Sequence, residues 1–161
     1  MIPTKLLIRQ RIFTWGDNYQ VCNEDGDPIY DVESDLFTLG HRIRVYDKKS
    51  GRELGSIRQK LLTLLPVFEI VVDGRLQGTV RREFSLFRPS YRVDYHDWQI
   101  QGDIFGWDYR VMQGDLEIMS ISKEFFNWSD TYVLNCENPA FEMPGLLLVL
   151  AIDAANCSHN D

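Results

Sequence analysis

The sequence has little of what most often carries chemistry. Only three of its 161 residues are cysteines. Cys22, Cys136 and Cys157 form an odd set with no C-x-x-C spacing, which excludes a disulfide framework or a zinc site and fits reduced thiols. Three histidines, His41, His96 and His159, are far apart in the chain. No G-x-S-x-G elbow, H-E-x-x-H pair, phosphate-binding loop or G-x-G-x-x-G turn is present, so no enzymatic constellation and no cofactor is expected. Met1 to Lys5 lack the basic stretch, apolar run and small-residue cleavage site of a signal peptide, so a cytoplasmic location is expected. On that expectation the glycosylation patterns at Asn127 and Asn156 are chance matches. No apolar run reaches the ~20 residues of a bilayer span, so no transmembrane segment is expected. A basic excess is also missing. Seventeen Lys and Arg stand against 24 Asp and Glu, a net charge of -7, which makes nucleic acid an unfavourable partner.

What is present is a core. Hydrophobic residues make up 44% of the chain and aromatics 12%, enough for one globular domain over residues 1–161. Apolar residues recur with period two in Phe68-Ile70-Val72, Tyr91-Val93-Tyr95, Trp98-Ile100, Trp107-Tyr109-Val111 and Tyr132-Leu134, the pattern of half-buried strands. Glycine-bearing polar turns separate such runs at Glu24 to Asp27, Lys49 to Arg52, Asp73 to Arg75 and Gln113 to Asp115, and predict hairpins. After two of these turns comes a second glycine, Gly55 or Gly78. At Gly55 the apolar alternation changes phase, which predicts a bulge. About a dozen short strands in a sandwich or barrel are expected.

One segment departs from this pattern. From Leu146 to Ile152 the chain is apolar on every side. The stretch predicts a helix of ~11 residues, about 16 Å long, with Pro144 in its first turn and Asn156 at its C-cap. A helix apolar all round must be enclosed by protein, and a closed barrel is the natural container. Asp153 then needs a partner or a wet barrel mouth. A solvated or capped helix end is the plainer reading.

These residues, in this order, resemble the LURP-one-related family, in the superfamily that shares the Tubby C-terminal-like fold and includes the phospholipid scramblases. The resemblance is carried by Tyr19-Gln20-Val21, Ile29-Tyr30-Asp31-Val32, Phe37 through Asp47, Gly102-Asp103, Ile121-Ser122-Lys123, Ser129 through Leu134, and the helix closing in Ala151-Ile152-Asp153. It implies a roughly twelve-stranded antiparallel barrel threaded by the C-terminal helix. Tubby-like relatives bind phosphoinositide headgroups through basic residues on the barrel wall, so lipid tethering is the expectation that the resemblance suggests. No phosphoinositide-contact motif stands at defined positions in this sequence.

Charge is unevenly spread. Residues 1–35 sum to -4, residues 36–92 to +7 and residues 93–161 to -10. Within the basic stretch, alternation sends Ile43 and Val45 inward and Arg42 and Arg44 outward, and Arg58 shares a face with Lys60. With Lys48, Lys49 and Arg52 at the adjoining turn, these seven residues form a candidate anion-binding grid, since guanidinium groups take phosphate bidentately. The plainer reading is solvated strand faces. The sequence thus predicts a non-enzymatic binding or tethering domain, peripheral at the membrane, whose partner is an anionic phospholipid or a protein. A rival site is a barrel-mouth pocket built from Trp98, Trp107 and Trp128 with Asp94, Asp97, Asp103 and Asp108. Cys136, continuing the Tyr132 and Leu134 face, reads as core rather than as a nucleophile.

Overall fold

The computed structural model describes residues 2–9, 18–37, 40–86, 90–126 and 129–157. They form β1 (Thr4–Arg9), β2 (Tyr19–Asn23), β3 (Pro28–Phe37), β4 (Gly40–Asp47), β5 (Glu53–Gln59), β6 (Val67–Val72), β7 (Arg75–Glu83), β8 (Ser90–Asp94), β9 (Gln99–Asp103), β10 (Asp108–Gln113), β11 (Leu116–Phe126) and β12 (Ser129–Cys136). A 3-10 turn, Pro139–Phe141, then leads into α1 (Glu142–Cys157). The twelve strands make one antiparallel sheet in which β1 pairs with both β2 and β12. This joins the two ends of the chain and curls the sheet into a nearly closed barrel, open only between β8 and β9.

The four predicted hairpins are present, joining β2–β3, β4–β5, β6–β7 and β10–β11. Their turns share one mouth of the barrel. Asp73 and Gly74 both take positive φ (50° and 73°), which suits a two-residue turn in a twisted hairpin. In the β4–β5 turn the Ser50 hydroxyl and amide both donate to Asp47 Oδ2 (2.7 and 2.9 Å), holding the Asp47 carboxyl below its usual range. Each returning strand carries a bulge soon after its turn: the register slips after Val21, Val45, Ile70 and Val111. At two of these sites the slip falls just before Gly55 or Gly78, the second glycines that the sequence carries after its turns, and at Gly55 it coincides with the change of apolar phase. The bulges curve the wall around its contents.

Those contents are α1. Leu146, Leu147, Leu148, Val149, Leu150, Ala151 and Ile152 are all buried to 1% exposure or less, within a core that includes Leu6, Val21, Val32, Ile43, Ile57, Phe68, Val80, Val111, Ile121 and Leu134. The helix is longer than its sequence suggested. It begins at Glu142, after a 3-10 turn capped by the Asn138 side chain, and runs 16 residues, about 24 Å. Pro144 falls in the first turn, where its missing N–H has no helical partner to lose. Asn156 is not a C-cap, because the helix continues to Cys157; its side chain instead accepts a hydrogen bond from the Tyr91 hydroxyl. At the other end Tyr30 donates to Glu142 Oε1 (2.6 Å). With the preceding turn, residues 139–156 are also long and apolar enough to cross a membrane by length and composition, whereas here most of the stretch is buried in the barrel.

No strand ladder joins β8 to β9, and aromatic side chains meet at the hairpin-mouth end of that seam. Tyr95 meets Trp98 edge to face with centroids 5.4 Å apart, and Trp98 meets Phe141 likewise at 5.6 Å.

Two glycines permit close approach, Gly55 between wall and helix and Gly78 between β7 and the end of β8. A Cβ at Gly55 would stand 2.6 Å from Leu147 Cδ1, and one at Gly78 would stand 2.3 Å from the Asp94 carbonyl oxygen. The second obstacle is backbone and cannot rotate away. Gly78→Ala is expected to lower the unfolding free energy by ~1–3 kcal/mol in urea titrations, and Leu148→Asp to abolish folding, read as loss of the cooperative transition.

Candidate functional site

Strand alternation places the basic residues of β4 and β5 as expected. Ile43, Val45 and Ile57 are buried, so Arg42, Arg44 and Arg58 project from the outer wall, with Arg42 directly opposite Arg58. Lys60 stands one residue past β5, its amide donating to the Val67 carbonyl (2.8 Å). Lys48, Lys49 and Arg52 are elsewhere. They lie in the β4–β5 turn at the hairpin mouth, and the six residues from Arg42 to Lys48 span about 20 Å. The seven candidates therefore form two groups at opposite ends of the wall, not one grid.

The wall is less positive than its sequence segment. β3 runs beside β4 and sets Asp35 opposite Arg42 and Glu33 opposite Arg44. Arg44 pairs with Asp35 (3.5 Å) and Glu53 (4.0 Å), Lys48 with Asp31 (3.2 Å), Arg52 with Asp73 (3.8 Å) and Arg58 with Glu69 (3.3 Å). These exposed pairs contribute little stability each, but they lower the positive potential of the surface. Among the described residues Arg42, Lys49 and Lys60 make no such pair.

Two further cations belong to the group at the far mouth and were not singled out from the sequence. Val67 of β6 stands opposite Arg81 of β7, and Arg81 opposite Arg92 of β8. Lys60, Val67, Arg81 and Arg92 thus form one row across four adjacent strand positions, next to the row of Arg42 and Arg58. Arg92 is engaged with Asp94 (3.6 Å), whereas Arg81 has no ion pair among the described residues. The readable signal was the Asp73-Gly74 turn: counting back from it through one bulge puts residue 81 against residue 67.

The rival pocket is not assembled. Asp97 belongs to the β8–β9 connection at the hairpin mouth, while Asp103 and Asp108 face each other at the far mouth. Trp98 is buried at the first of these ends, and Trp107 stacks on Tyr132 (centroids 3.8 Å apart) at the second. Trp128 and His159 lie outside the described residues. Among the described residues no group of three His, Cys, Asp or Glu gathers to hold a metal ion. A recess of about 650 Å³ does open at the hairpin mouth between Arg75, Gln77, Tyr95, His96, Met143 and Leu147, and another of about 630 Å³ lies beside Asp31 and Glu33. Neither takes in the tryptophans of the expected pocket. Cys136 is core as expected, its thiol pushed up to about 12 by burial first and by Glu142 and Glu137 next, the opposite of an activated nucleophile.

Asp153 departs from its plainer reading. It is neither capped nor solvated: four residues before the helix ends it is buried, with Oδ2 lacking a hydrogen-bond partner among the described residues. Burial raises its carboxyl from 3.8 to about 7, and its charge in turn helps raise the phenol of the buried Tyr109.

Below pH 3.8 the Asp153 carboxyl is protonated in both the folded and unfolded chain and has no effect. Between 3.8 and about 7 only the unfolded chain ionises, so stability falls with rising pH, by about 4 kcal/mol in all, and is level above. Asp153→Asn is expected to remove this slope, so that its melting temperature gains on the native protein steadily from pH 4 to pH 7. Thermal unfolding across that range measures it.

Comparison with known proteins agrees with this architecture. Residues 4–153 match the LURP-one-related family. The uncharacterised protein YxjI of Bacillus subtilis (strain 168) is 31% identical over 130 residues, covering 81% of this chain and 80% of that protein. A protein from Arabidopsis thaliana solved by X-ray crystallography superposes with a TM-score of 0.59 at 15% identity, over 91% of this chain and 89% of that one, and shares the fold. With a family match over nearly its whole length and a relative of this identity, the chain belongs to the LURP-one-related family.

Proposed function

We propose that the protein is a non-enzymatic tethering domain that binds anionic phospholipid headgroups and sits peripherally at a membrane surface. The observation that carries this reading is the convergence of Arg42, Lys60 and Arg81 on two neighbouring rows of the outer wall, where Arg44, Lys48 and Arg52 elsewhere are paired with carboxylates. Arg58 and Arg92 flank them, Arg92 in an exposed pair with Asp94 and Arg58 in a pair with the partly buried Glu69. Planar guanidinium groups take a phosphate in two parallel hydrogen bonds, and a lysine adds a point charge beside them. A compact headgroup fits such a local patch. An extended polyanion would meet the acidic remainder of a chain of net charge -7. The basic-wall binding of Tubby-like relatives supports the same reading by analogy of fold.

Co-sedimentation with vesicles of graded anionic lipid content tests it. At ~1 kcal/mol per cation near an anionic surface, replacing Arg42, Lys60 and Arg81 together by Ala should weaken binding on the order of 100-fold. Arg44→Ala with Arg52→Ala should leave it within about threefold. Equal binding by the triple variant and the native protein would overturn the assignment.

A further inference from the structure

The far mouth carries a feature that headgroup binding leaves unused. The β5–β6 connection, Lys60 to Pro66, presents Leu62 and Leu64 with relative exposures of 106% and 101%, and the start of the β7–β8 connection presents Phe84 and Leu86 at 81% each. Leu62 adopts φ 59°, a left-handed conformation that a branched apolar residue rarely takes. The two connections are neighbours, because the Arg82 amide donates to the Pro66 carbonyl (3.1 Å) two residues before Phe84. Four large apolar side chains therefore stand together at one rim, and the cations Lys60, Arg81 and Arg82 are within a few residues of them along the same strands.

From this arrangement, and resting on the headgroup reading above, we infer that the Leu62, Leu64, Phe84 and Leu86 side chains insert into the apolar boundary of a lipid bilayer while Arg42, Lys60 and Arg81 engage its phosphates. Relative exposures of 106% and 101% describe Leu62 and Leu64 as side chains that protrude from a loop tip, with Phe84 and Leu86 at 81% beside them. A protein partner would have to supply a matching cleft for each tip, whereas the acyl boundary accommodates any protruding shape. Charge points the same way. Interfacial binding combines buried apolar area with attraction to anionic lipid, and the cations lie beside the apolar tips on the barrel wall, at the level a headgroup layer would occupy. The β9–β10 connection at the same mouth bears exposed Phe105 but also Asp103 and Asp108, and an anionic surface would repel it. Among the described connections at this mouth, docking therefore falls to the sector from β4 to β8, which tilts the barrel axis against the membrane.

A fluorophore sensitive to polarity, attached at Leu64→Cys in a Cys157→Ser background, reports insertion directly, since Cys22 and Cys136 are buried. With vesicles of phosphatidylglycerol and phosphatidylcholine its emission should shift to the blue and brighten. Leu62→Glu with Leu64→Glu, changes at fully exposed positions, should weaken sedimentation at least about tenfold while leaving the melting temperature unchanged. Vesicle binding with no spectral change, and undiminished in the double variant, overturns insertion and leaves the headgroup reading standing. Insertion that is equal on pure phosphatidylcholine and indifferent to the Arg42, Lys60 and Arg81 substitutions supports the apolar contact and overturns the headgroup reading. Absence of the native protein from every vesicle pellet overturns both, and self-association abolished by Leu62→Glu would then assign the loops to a second copy of the chain.

Discussion

The burial of α1 is the condition on which the remaining structure depends. A 16-residue helix with a core of leucine, isoleucine, valine and alanine has no polar face to offer water, so every side must meet protein. A single sheet provides that only by curling around the helix. The curl needs a bulge in each hairpin and close approach at Gly55 and Gly78. It also needs the pairing of β1 with β12, which brings the first strand next to the last one before the helix. The helix is then tied at both ends by tyrosines of the wall, Tyr30 to Glu142 and Tyr91 to Asn156. Asp153 is an ionisable side chain of α1 buried in that core, and it lowers stability at neutral pH relative to a neutral residue in the same place.

With the interior committed to apolar contact, charge can be expressed only on the outside and at the mouths, and the two mouths differ in kind. At the hairpin end the turns are short and polar, and the bases of the β4–β5 turn have carboxylates within reach. At the far end the β5–β6 connection is longer and bears exposed leucines, the β7–β8 connection opens on exposed Phe84 and Leu86, and Arg42, Lys60 and Arg81 make no ion pair among the described residues. A chain of net negative charge therefore keeps a local positive sector next to exposed leucine and phenylalanine. The proposed docking on an anionic surface draws on that local contrast rather than on the total charge.

Much of the fold was legible because it rests on local rules. Period-two alternation marked Phe68 and Ile70, Tyr109 and Val111, and Tyr132 and Leu134 as inward-facing, and all six are buried. The phase change at Gly55 marked a real bulge, and the continuous apolar stretch marked the enclosed helix. Helix limits were less legible. The Asn138 cap and the 3-10 turn move the start ahead of the apolar run, and Asn156 is drawn from a capping role by a tyrosine 65 residues away. The candidate site was legible only in part. Outward orientation of Arg42, Arg44 and Arg58 follows from parity along each strand, but which charges become neighbours depends on the order and register of strands that sequence position does not reveal.

The sequence by itself determined the class of the structure: strands that bury alternate residues, turns that demand glycine, and a helix that must be surrounded. These follow from the chemistry of residues a few positions apart. Only the tertiary structure decided which surfaces exist. Cross-strand register set Asp35 and Glu33 against Arg42 and Arg44, brought Arg81 and Arg92 into line with Lys60, and separated Trp98 and Asp97 from Trp107, Asp103 and Asp108 at the opposite mouth. It also sealed Asp153 in the core. The physical reason is one of range. Burial parity repeats every two residues, whereas electrostatic neighbourhoods on a barrel wall extend across strands 4.7–4.9 Å apart whose residues are tens of positions distant in the chain.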